Sequence, residues 1–77
     1  MKIYVVVGAY GTGEWDHTEW DVAYYDNENA ANDHMTKASI YRGEFNPYDR
    51  MWRYGGASYH VRRETVFSSV DKWKQDG

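Results

Sequence analysis

The chain has no cysteine, so its reactive side chains are three histidines, its carboxylates and its hydroxyls. Imidazole and carboxylate together suit zinc and other transition metals, and His17, His34 and His60 could join Asp16 or Asp33 around an ion. No two of these histidines have the helical spacing that puts two ligands on one face, so they read as surface or margin residues. Asp16-His17 beside a hydroxyl such as Thr18 or Ser58 has the residue types of a hydrolase, but no nucleophile elbow or oxyanion loop accompanies them. Gly8-Ala-Tyr-Gly11-Thr-Gly13 follows a strand-like run and has the outline of a phosphate-binding loop. Its spacing is not that of the dinucleotide fingerprint, no Lys-Ser/Thr follows, and Glu14-Trp15-Asp16 would repel a phosphate. The sequence therefore predicts no catalytic residue, no metal, no cofactor and no enzymatic activity.

Recognition chemistry is more visible. Residues 1–36 carry one positive charge, Lys2, against the seven negatives Glu14, Asp16, Glu19, Asp21, Asp26, Glu28 and Asp33, whereas most cations lie in the second half. Such asymmetry arises either from solvated faces that attract one another or from a dipolar surface that docks on a charged partner. Glu19 and Asp21 are two residues apart, a separation of roughly 6.7 Å along a strand, close to that of neighbouring phosphates. With Glu14 and Asp16 extending the row and Tyr10, Trp15 and Tyr25 as aromatic anchors, these residues form a candidate partner-binding set directed at an Arg/Lys groove. The plain alternative is the polar outer face of a sheet.

Arginine and aromatic residues alternate in the second half: Arg50, Trp52, Arg53 and Tyr54, then Arg62 and Arg63. Cations for phosphates and aromatic planes for bases compose a single-stranded nucleic-acid surface. The net charge of −3 opposes that reading, since such proteins are usually basic.

These residues need elements to hold them. Lys2 to Gly8 is the densest β-branched and aromatic run, and three consecutive valines predict a central strand covered on both faces, with Gly8 as its turning point. A glycine-punctuated loop follows to His17. Thr18–Tyr25 alternates, placing Trp20, Val22 and Tyr24 on one face and Glu19, Asp21, Ala23 and Tyr25 on the other, and predicts a strand antiparallel to the first. Asp26 or Asn27 caps a helix of about Glu28 to Arg42 whose stripe is Ala31, Met35 and Ala38, with Gly43 beyond its end. Asn46-Pro47 marks a turn. Arg50–Tyr54, Gly55-Gly56 and Ala57–Phe67 predict a hairpin, with a bulge near Arg62 or an early departure from the sheet because Arg63 intrudes among Tyr59, Val61, Thr65 and Phe67. Ser68 or Ser69 caps a short final helix with Val70 and Trp73, Asp71 completing a capping box from Ser68.

The whole, residues 1–77, predicts one α+β domain: a small antiparallel sheet in the order β-β-α-β-β, one helix on one face and a short C-terminal helix. Its core is thin. There is no leucine and there are two isoleucines, so seven valines and fourteen aromatic residues supply the apolar material. Tyr and Trp have polar tips, and fourteen aromatic rings on so small a body leave some exposed at a binding surface. The absence of cysteine suits a reducing cytosol, and no apolar run is long enough to cross a membrane.

Met1-Lys-Ile-Tyr-Val-Val-Val-Gly8, a loop, Trp20-Asp-Val-Ala-Tyr-Tyr-Asp26 and the alanine-rich Glu28-Asn-Ala30-Ala31 together resemble small tailed-bacteriophage proteins, over about residues 1–42. The resemblance implies a host-takeover or anti-defence role of the anti-CRISPR kind, in the cytoplasm of a bacterial host. The partner that the resemblance implies is a host protein, foremost a nucleic-acid-handling defence complex. It transfers no catalytic or binding residue, and the hairpin from Arg50 onward has no counterpart in it. Direct nucleic-acid binding and a self-assembling homodimer stand as the two alternatives.

Overall fold

The computed structural model describes residues 1–11, 16–51 and 56–76. The chain runs β1 (Lys2–Tyr10), β2 (Thr18–Tyr25), α1 (Glu28–Ser39), β3 (Ser58–Thr65) and α2 (Val70–Asp76). The described strands form one antiparallel sheet in the order β2-β1-β3. The valine strand is central, as its composition requires, and Val5, Val6 and Val7 are completely buried. Gly8 is not a turning point, because β1 continues through it to Tyr10. It is a contact position: a Cβ there would sit 2.6 Å from the Trp20 indole, so only glycine lets that ring lie flat against the strand.

Asn27 caps α1, its side chain accepting from the Ala30 amide, and Glu28 places a carboxylate at the positive end of the helix dipole. Ala31 and Ala38 are fully buried against the sheet, and α1 touches all three strands. The helix ends at Ser39, short of Arg42, because its last turn finds other partners. The Ala38 carbonyl accepts from the Ile40 and Tyr41 amides and from the Asn46 side chain.

Two sequence expectations change here. The hairpin is absent from the described residues: Asp49 accepts from the Met51 amide across Arg50, which places Arg50 in a side-chain-closed turn. Trp52, Arg53, Tyr54 and Gly55 lie outside the described residues, and β3 pairs with β1 in one unbroken register. The bulge is in β2, not near Arg62. Between the pairs Val6–Ala23 and Val7–Asp21, Val22 is the extra residue. The alternation therefore inverts midway, so that Trp20, Ala23 and Tyr25 share the helix-covered face while Glu19, Asp21 and Tyr24 share the other.

Arg63 intrudes without distorting β3 because it reaches Glu28 of α1 at 2.7 Å on the helix-covered face. At the chain end, Ser69 accepts from the Lys72 amide and caps α2, which removes the box from Ser68 to Asp71. α2 packs against none of the other elements, and Val70 and Trp73 are exposed.

Candidate functional site

The two faces of the sheet have different chemistry. Under the helix, Asp49 is only 4% exposed and gathers three donors. The Trp20 indole nitrogen lies 3.1 and 3.2 Å from its two oxygens, the Tyr59 hydroxyl donates at 2.5 Å, and the Met51 amide at 2.9 Å. Asn46, also buried, donates to the Ala38 carbonyl and to the Tyr59 oxygen and accepts from the Tyr48 amide. These two side chains bolt the segment after α1 to both outer strands. Burial, and then the bond to ionised Asp49, push the Tyr59 hydroxyl far above the usual phenol range.

His34 continues the network toward the surface. Its Nε2 lies 2.7 Å from the Tyr48 carbonyl, which can only accept, so Nε2 carries the proton; in the neutral ring, Nδ1 then accepts from the Tyr25 hydroxyl at 2.6 Å. Every polar atom here has a structural partner, and no buried side-chain nitrogen or oxygen among the described residues lacks one. This side of the sheet is scaffold.

Among the described residues no helix lies over the opposite face. It carries Glu19, Asp21 and Tyr24 from β2 and Ser58, His60, Arg62 and Glu64 from β3, flanking Ile3, Val5, Val7 and Ala9 of β1. Arg62 opposes Val5 yet reaches across the central strand to Asp21 at 3.2 Å, while its Nε meets Glu64 at 2.6 Å. That crossing carries the aliphatic stem past the valines of β1, and Val5 and Val7 are fully buried. The bulge brings Tyr24 and Asp21, three residues apart, onto the same side, where the hydroxyl donates to the carboxylate at 2.5 Å. That bond raises the Tyr24 hydroxyl above its ordinary range. Tyr24 is 60% exposed and stands among these carboxylates. His17 pairs with Glu19 at 3.2 Å.

Of the partner-binding residues expected from sequence, Glu19 and Asp21 do share this face. Tyr10 is exposed at the end of β1 and Asp16 in the bend before β2. Tyr25 is on the other face, bonded to His34, because the bulge turns it under α1. Glu14 and Trp15 lie outside the described residues. Of the arginine set, Arg62 and Arg63 point to opposite faces, each bound to a carboxylate, and Arg50 sits in its turn, while Trp52, Arg53 and Tyr54 lie outside the described residues. Cross-pairing of Arg62 with Asp21 and of Arg63 with Glu28 also accounts for part of the charge asymmetry between the two halves. Tyr24, Arg62 and Glu64 were not among the expected acidic-face residues. A β-bulge leaves no clear mark in a run such as Trp20-Asp-Val-Ala-Tyr-Tyr, and without it Tyr24 is assigned to the wrong side.

The other candidate constellations are dispersed. The Ser58 hydroxyl is directed at the Ala9 carbonyl and the His17 ring at Glu19, so these two side chains do not pair with each other. Among the described residues no three His, Asp or Glu side chains are grouped to hold a metal, and no helix is long and apolar enough to cross a membrane. The chain matches no family model, no curated protein and no solved structure.

Proposed function

We propose that this chain is a binding protein without catalytic machinery of its own, and that the open face of the sheet docks on a basic surface of a partner protein. The observation that carries this reading is the composition of that face among the described residues: an exposed tyrosine ring, three carboxylates, Glu19, Asp21 and Glu64, and one permanent cation, Arg62. The ring supplies burial at the centre of an interface, and the surplus carboxylates select arginine or lysine and accelerate encounter. The carboxylates are held in place by bonds within the chain, so little ordering is lost on docking.

By the resemblance of residues 1–42 to small phage proteins, the partner is a bacterial protein that handles nucleic acid, and the acidic face occupies its phosphate-binding groove. The test is capture from a nuclease-treated bacterial lysate by the tagged chain and by the double variant E19K/E64K, which spares the Asp21–Arg62 bond. The reading predicts a protein that remains after nuclease, elutes as salt rises and is lost with the double variant. Recovery that disappears with nuclease, or that survives charge reversal, overturns it.

A further inference from the structure

We infer that the outer edge of β3 is the contact by which two copies of this chain join, continuing the sheet across a two-fold axis. The inference does not depend on the partner proposed for the open face.

The first argument is the state of the edge. Met1 and Val66 exchange both backbone bonds, Val66 N–H to Met1 O at 2.7 Å and Met1 N to Val66 O at 3.1 Å. Because such pairs alternate along an antiparallel ladder, the register fixes Glu64, Arg62, His60 and Ser58 as the residues bonded to β1. The N–H and C=O groups of Tyr59, Val61, Arg63 and Thr65 therefore point outward, and they have no partner among the described residues. This edge is eight residues long, regular and free of proline. The β2 edge is broken by its bulge and carries Glu19 and Asp21, the usual devices against pairing. Of the strand edges among the described residues, β3 alone is left as a template.

The second argument is self-complementarity. The antiparallel register that pairs all four outward residues is centred on Arg62, with Val61 opposite Arg63 and Tyr59 opposite Thr65 of the second copy. On the open face it sets His60 against Glu64 twice, an attractive pair. The two Arg62 side chains meet at the axis without conflict, because each guanidinium is drawn back over β1 to Asp21.

The third argument is area. The chain exposes 5851 Å², whereas a compact monomer of 9.1 kDa exposes about 4,900 Å². Its radius of gyration is 14.7 Å against about 11.5 Å for a compact domain of this length. The surplus is similar to the roughly 800 Å² that each partner contributes to a stable interface. Part of it is α2, with Val70 71% and Trp73 56% exposed.

Sedimentation from low to high micromolar concentration tests this. The expected mass rises toward twice that of the chain, and V61P, which removes an outward N–H and no bond to β1, stays at monomer mass with an unchanged circular dichroism spectrum. The register is tested with H60C and E64C in a chain otherwise free of cysteine. A mixture of the two variants should cross-link on mild oxidation, because the facing positions are within disulfide reach, and neither variant alone should do so. Monomer mass at every concentration, dimerisation of V61P equal to the parent, or cross-linking of H60C alone as efficient as the mixture overturns the inference. Should V61P fail to fold, the cysteine pair decides.

Discussion

Asp49 bears more of the structure than any other side chain that could ionise. It binds Trp20 from β2, Tyr59 from β3 and the Met51 amide, so its removal leaves three donors unpaired where water has little access. D49A is expected to lower stability by about 3 kcal/mol, and D49N, which keeps one acceptor oxygen, by about half as much. Chemical denaturation followed by tryptophan emission measures both. Tyr59 gives the same site a pH signature. Its hydroxyl is held protonated in the folded state well beyond the point at which an unfolded tyrosine ionises, near pH 10. Its contribution is complete below that pH. As the pH rises further the unfolded chain releases a proton that the folded chain keeps, so stability falls. A spectrophotometric titration should show Tyr59 ionising only together with unfolding. Tyr24 is also raised but is exposed, and should titrate on the folded protein. A single early transition for all eight tyrosines would contradict the assignment.

At the scale of elements, the sequence was readable wherever composition decides and unreadable wherever a single residue changes the phase. Three valines in a row determine a central strand under any packing, and Asn27, Glu28 and the small stripe Ala31–Ala38 determine the start and the buried face of α1. Val22 shows the limit. As an unpaired residue it transfers Tyr24 to the open face and Tyr25 to the helix, and nothing in its type distinguishes it from an ordinary strand valine. Arg50–Met51 shows a second limit, since the run has strand composition but the buried Asp49 carboxylate closes it into a turn. That Glu19 and Asp21 share a face was legible because alternation holds up to the bulge, whereas their neighbours across the sheet, Arg62 and Glu64, depend on tertiary pairing. Deleting Val22 should make the pairs Val6–Ala23 and Val7–Asp21 consecutive in an ordinary ladder, with Trp20 and Tyr25 both still on the helix-covered face, so the tryptophan emission of the folded chain should not shift to the red. A red-shifted emission would mean that Val22 is not the residue that sets the two faces.

At the scale of the molecule, the extents of 45 × 29 × 15 Å describe a thin plate. One side is closed by α1 and the bonded segment after it, and the other offers charge and one exposed ring. A sheet with a single covering helix has a small core, and here buried polar bonds under the helix supplement it. The central claim is that the open face makes the contact, and site-specific photocross-linking tests it most directly. A benzophenone side chain in place of Tyr24, exposed on the open face, should give a cross-linked protein band in nuclease-treated bacterial lysate. The same group in place of Ile40, exposed at the end of α1, should give none. Cross-linking from Ile40 and not from Tyr24 would place the contact on the helix side and contradict the account.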